Sequence, residues 1–196
     1  MADILSEKFV EWTKGKDKLE ARISLFQKIR NIPYAVIPEI IHPQRYIEIL
    51  KINRGSCSPK HFLLADLLER LGLICFYSVW QFLWKDLPID WPPELEKLAA
   101  HLPINTHLAL RVEIEGNFVL VDATLDPELK SLGLPINEWD GKSDTLLPIQ
   151  PLGEEEWHSR SERELMIPSF DENSLVFYQK LNSWLEEIRN EGGENV

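Results

Sequence analysis

The stretch THLALRVEIEGNFVLVDAT, residues 106–124, constrains the fold more than any other part of the chain. Leu108, Leu110, Val112 and Ile114 alternate with Ala109, Arg111 and Glu113. After a short break, Val119, Val121 and Ala123 alternate with Phe118, Leu120 and Asp122. A period of two is the signature of a half-buried strand. Glu115-Gly116, between the two runs, has the composition of a tight hairpin turn, so residues 106–114 and 117–124 are expected to pair. A two-residue loop sets Ile114 opposite Asn117 and Ala109 opposite Asp122. His107 and Asp122 then become diagonal neighbours on one face, about 7–8 Å apart at the backbone, within reach of an imidazole and a carboxylate.

The rest of the chain supplies what covers this hairpin. Residues 4–14 and 17–31 read as helices, the second through Leu19, Ile23, Phe26, Ile29 and Arg30 and ended by Pro33. Pro38 opens a further short helical region. Residues 58–71 form a helix whose polar stripe is narrow (Lys60, Asp66, Glu69, Arg70), so most of its circumference is expected to be buried, with Gly72 as the residue that ends it. Strand character returns in 73–84, rich in aromatic and β-branched residues. A short helix is expected over 92–102. Residues 125–169 look irregular, with Glu154 to Glu156 as a solvated acidic face. A last amphipathic helix runs over 171–190 through Leu175, Phe177, Tyr178, Leu181, Trp184, Leu185 and Ile188. Helices, then strands, then a closing helix point to an α+β fold with an antiparallel sheet. The 196 residues suit one domain, taken as 1–190, with 191–196 as a flexible tail.

Charge and targeting narrow the function classes. With 44% apolar and 27% charged residues the chain is no disordered polymer, and its net charge of −11 repels phosphate backbones and anionic lipids. No nucleic-acid or membrane partner is therefore expected. The N-terminus lacks a signal-peptide pattern, and the apolar stretch Leu71 to Trp84 is too short to span a bilayer. A cytoplasmic, reducing setting is the expectation, with Cys57 and Cys75 as free thiols.

Cys57, in RGSCSPKH, is the residue with chemistry to offer. Pro59 disfavours helical geometry at Ser58, which makes Ser58 the expected N-cap and leaves Cys57 just outside the helix. A helix N-terminus stabilises a thiolate through its partial positive charge, and its free N–H groups suit an oxyanion. Arg54 and Lys60 are expected to add positive charge nearby. A thiolate nucleophile needs an imidazole, and the imidazole an orienting acid; the hairpin offers His107 and Asp122. Asn53 and Tyr34 are candidates for a second oxyanion donor, and Trp80 and Trp84 for the wall of a cleft. Against these stand plainer roles. Cys75 is expected in the core, and His61 as a packing residue, because two ligands four apart make no metal site. His42, His101 and His158 are expected at the surface, Asp126 in a turn, and Arg111 and Glu113 as cross-strand ion partners.

GSCSPKHFLLADLLERLGL followed by THLALRVEIEGNFVLVDATLDP resembles the transglutaminase-like superfamily: Gly55-x-Cys57 at a helix start, Leu71-Gly72 at its end, His107 opening a strand, and Val121-Asp122-Ala123-Thr124 closing the next. The resemblance spans about residues 50–127. It implies a papain-like core, with Cys57 as nucleophile, His107 as base and then acid, and Asp122 as orienter. It implies acyl transfer through a thioester without a cofactor or a metal, most simply hydrolysis of an amide or peptide bond in a peptide, protein or small amide. Arylamine N-acetyltransferases look more distantly similar at Arg54-Gly55 and along the hairpin, so the alternatives are an acetyl-coenzyme A dependent acetyltransferase or a binding module that keeps the fold without turnover.

Overall fold

The computed structural model describes residues 3–166 and 169–193. Its N-terminal helices are α1 (Ile4–Thr13) and α2 (Lys18–Arg30). Each starts on an aspartate: Asp3 accepts from the Ser6 N–H, and Asp17 forms a reciprocal capping box with Glu20. The region opened by Pro38 is two single 3-10 turns and a one-turn helix, α3 (Ile49–Ile52). The central helix α4 (Cys57–Arg70) follows, then β1 (Cys75–Phe82), α5 (Pro93–Ala99), β2 (Asn105–Ile114), β3 (Asn117–Val121), β4 (Leu152–His158) and α6 (Glu172–Gly193). The protein is α+β. Its antiparallel sheet has the order β3-β2-β1-β4.

The hairpin has the register expected from its alternation. Ile114 faces Asn117, and Glu115 (φ 53°) and Gly116 (φ 85°) are both left-handed, the geometry that keeps a two-residue loop in step with strand twist. β3 stops three residues short of the expected 124, because the backbone there turns to other partners. The Asp122 N–H donates to Thr145 Oγ1, Ala123 N–H to His61 Nε2, and Thr124 N–H to Asp122 Oδ1. Leu108, Leu110, Val112, Val121 and Ala123 form the buried face. Against it α4 sets Phe62, Leu63, Leu64, Leu67 and Leu68, all without solvent exposure. This helix ends as read: Gly72 (φ 83°) donates to the Glu69 carbonyl and Leu73 to that of Leu68, a Schellman closure.

Several expectations are overturned. Segment 125–169 contains β4, an edge strand whose Gly-Glu-Glu-Glu run shows no apolar alternation. Its Glu155 is no solvated residue: it takes a bidentate pair from Arg111 (2.8 and 2.9 Å) and a hydrogen bond from Ser78. Arg111 therefore pairs across the sheet to β4, and Glu113 lies opposite Phe118 instead. In α6 the buried stripe is Ser174, Phe177, Tyr178, Leu181 and Leu185, which leaves Leu175 exposed. This helix continues to Gly193, past the expected start of the tail at 191; residues 194–196 lie outside those described. Among the described residues no helix is long and apolar enough to cross a membrane.

Two apolar clusters result. One lies between α2, α4 and the sheet; the other joins Phe82, Trp84, α5, the 125–134 segment and α6. Cys57 and His107 sit where the two meet.

Candidate active site

Cys57 is the first residue of α4, and Ser56 is its N-cap, two residues earlier than expected. Pro59 falls in the first turn, where a missing N–H costs nothing, so it does not displace the helix start. The Ser56 side chain makes no cap bond, and the N–H groups of Cys57 and Ser58 have no backbone partner among the described residues. Gly55 explains itself by space: a Cβ there would come within 3.0 Å of Ile49 Cγ2 and 3.4 Å of Pro59 Cγ. Gly55→Val is expected to destabilise the fold by about 1–3 kcal/mol through this overpacking and to shift the start of α4. Urea unfolding read together with Cys57 alkylation checks both effects.

His107 and Asp122 meet as the hairpin register requires. His107 Nε2 lies 2.6 Å from Asp122 Oδ2, with both side chains buried. That contact leaves Nδ1 available; the imidazole and the Cys57 thiol line one cavity and shift each other's charge, while Cys57 Sγ lies 3.9 Å from Ser58 Oγ. Burial opposes charge on all three groups. It is outweighed at His107 by the Asp122 carboxylate, which pushes the imidazole up to about 10. At Cys57 burial raises the thiol, but His107 and the Leu108 N–H more than offset this and hold it below its ordinary value. At Asp122 the same imidazolium outweighs burial and lowers the carboxyl. The three groups favour charge on the thiol and on the imidazole, with the carboxylate holding the ring in place.

The next layer of contacts fixes these groups in place. Asp122 Oδ1 accepts from the Thr124 N–H, and its carbonyl accepts from Asn137 Nδ2 (3.0 Å). His61 is no metal ligand. Its Nδ1 lies 2.8 Å from the Cys57 carbonyl and its Nε2 accepts from the Ala123 N–H. A carbonyl only accepts and an N–H only donates, so the proton is on Nδ1 and the ring is neutral; burial pulls it down to about 4. His61 thus ties the nucleophile's helix to the residue beside Asp122.

The expected basic surroundings of Cys57 are absent. Arg54 pairs with Glu186 on α6. Lys60 is fully buried and donates to the Arg30 and Thr124 carbonyls at 3.0 and 2.6 Å, and burial lowers its ammonium to about 7. Neither side chain lines the cavity around Cys57, so the influence that lowers the thiol comes first from His107.

A cavity of about 450 Å³ opens beside Cys57 and His107. Tyr34 and Trp84 line it; Asn53 and Trp80 do not. Asn53 is exposed in a left-handed C-cap, and the Trp80 indole donates to Ser78 Oγ. Tyr34 is brought in by a parallel bridge to Gly55. Burial, then the Cys57 charge, raises its hydroxyl well above the ordinary range, so the hydroxyl stays protonated. No protein-family model and no curated protein matches the chain.

Three further residues had no local signal in the sequence. Asp126 is no simple turn residue: it is buried and receives the Tyr34 N–H at 2.7 Å and the Arg189 guanidinium at 3.1 and 2.8 Å. Arg189 also donates to the Tyr34 carbonyl, and Asn182 clamps Val36 through both its N–H and its carbonyl. Helix α6 thereby holds the Tyr34 segment against the site. His158, expected at the surface, lines the cavity and remains partly exposed; His101 is exposed and His42 half-buried. Cys75 is a buried free thiol, and burial pushes its pKa far up, away from reactivity.

Proposed function

We propose that the protein is a cysteine-dependent acyl-transfer enzyme with a papain- or transglutaminase-like core, most simply a hydrolase of amide or ester bonds. The observation that carries this reading is the buried Asp122–His107–Cys57 chain at a helix N-terminus, open to a cavity. The Cys57 thiolate attacks the substrate carbonyl carbon, and the carbonyl electrons move to oxygen. The Cys57 and Ser58 N–H groups, free at the helix start, and the Tyr34 hydroxyl, which lines the same cavity, are the donors this reading assigns to that oxyanion. Collapse breaks the bond to the leaving group, which takes the proton from His107 and leaves a Cys57 thioester. Water then adds to the thioester as His107 removes its proton. The acid departs, and the thiolate–imidazolium pair is restored. The two free thiols also suit a reducing cytoplasm.

Turnover is expected to be bell-shaped in pH. Activity rises as Cys57 ionises below the usual thiol range. It falls as the imidazolium, the acid for the leaving group, loses its proton near pH 10. Tyr34→Phe is expected to lower kcat by about 10²-fold with little change in KM, as loss of one oxyanion donor does. The function is tested by mixing the protein with an ester and an amide series and reading intact mass. Acylation that maps to Cys57 and is absent in Cys57→Ala supports acyl transfer; no acylation and no turnover across the series removes it.

A further inference from the structure

The wall of the cavity says which substrates fit. We infer that the substrate carries, next to the reacting carbonyl, an uncharged hydrophobic group of the size of a medium acyl chain or a small aromatic system. This inference rests on the acyl-transfer reading for the carbonyl and on the cavity for the group.

The cavity is built from the second apolar cluster. Trp84, Leu125, Ile149, Tyr178, Leu181 and Trp184 come from four separate parts of the chain and converge on Cys57. Their rings brace one another, with Trp84 5.2 Å from Phe177 and Trp91 5.5 Å from Trp184, so this wall is packed before any substrate arrives. Among the described residues no lysine or arginine lines the cavity, so away from the His107 imidazole at the reacting centre the apolar wall offers no guanidinium or ammonium to a carboxylate or phosphate. The one lining carboxylate, Glu162, is already engaged by the Ser159 N–H and hydroxyl and lies 3.6 Å from His158. Charged groups fare badly against such a wall, whereas apolar groups gain from leaving water. The volume of about 450 Å³ is several times that of a cavity that takes up one benzene, about 150 Å³. Polar demand is small but present: the Thr124 hydroxyl and the Trp91 indole N–H are buried without a partner among the described residues.

The test uses Cys57 itself as the reporter, because alkylation needs a thiol in the cavity but no turnover. The full-length protein is treated with N-methyl-, N-butyl- and N-hexylmaleimide, and modification of Cys57 is followed by peptide mass, with the urea-unfolded chain giving the intrinsic rate of each reagent. The folded-to-unfolded rate ratio is expected to rise at least tenfold from methyl to hexyl, since each fully buried methylene is worth up to about fourfold. Ile149→Trp, which fills the cavity, should flatten the series. As a second measurement, Cys57→Ser should bind the uncharged fluorophore N-phenyl-1-naphthylamine, and hexanamide should displace it. A flat series in the native protein together with no fluorophore binding overturns the inference. A steep series in a protein that forms no acyl-Cys57 with any ester would instead retain the hydrophobic site and remove the acyl-transfer reading.

Discussion

His107→Ala is expected to lower hydrolysis by roughly 10²–10⁴-fold, the share that general acid–base catalysis supplies. The size of the effect follows from three roles held by one ring. In the proposed mechanism His107 favours the charged form of Cys57, protonates the leaving group, and later takes a proton from water. Without it Cys57 keeps its burial but loses the largest stabilising influence on its charge, so the thiol becomes harder to ionise. Asp122→Ala should act in the same direction and less strongly, since the imidazole then loses its orientation and the carboxylate that keeps it charged. Steady-state rates for the three proteins on one activated ester check the order. Equal rates for wild type and His107→Ala would remove His107 from the mechanism.

Arg189→Ala is expected to destabilise the protein by about 3–5 kcal/mol, because it leaves the Asp126 carboxylate buried and without its counter-charge. The pair differs from the surface ion pairs of this chain, which are worth about 0–1 kcal/mol each. Arg189 and Asp126 side chains are only 7% and 2% exposed, and two guanidinium nitrogens reach the carboxylate. The same change frees the Tyr34 carbonyl and loosens α6 from the site. Urea unfolding should show a lower midpoint at unchanged slope. The double variant Asp126→Asn/Arg189→Ala should recover part of the loss, since it removes the stranded charge. A loss below about 1 kcal/mol for Arg189→Ala would mean the pair behaves as a solvated one.

How far the sequence carries depends on the range of the interaction. The hairpin is legible because a period of two and a Glu-Gly turn are local, and they fix the register that brings His107 to Asp122. The buried α4 and its glycine stop are legible for the same reason. β4 is not, because an acidic edge strand has no apolar alternation and gains its place through Arg111, 44 residues away from Glu155 in sequence. Lys60 looks like a surface charge on the helix. Its burial depends on two carbonyls from distant segments that no local pattern announces. Asp126 and Arg189 are 63 residues apart and unmarked for the same reason. The cavity wall comes from four separate segments, so its hydrophobic character emerges only once the chain is folded.

The central claim is that His107 holds Cys57 as a thiolate. It is tested most directly by the rate of Cys57 alkylation with iodoacetamide as a function of pH, in the native protein and in His107→Ala. The expected midpoint in the native protein lies below the free-thiol value of about 8.5 and moves above it in the variant, where burial acts alone. A native midpoint at or above the free-thiol value, unchanged by His107→Ala, would contradict the account.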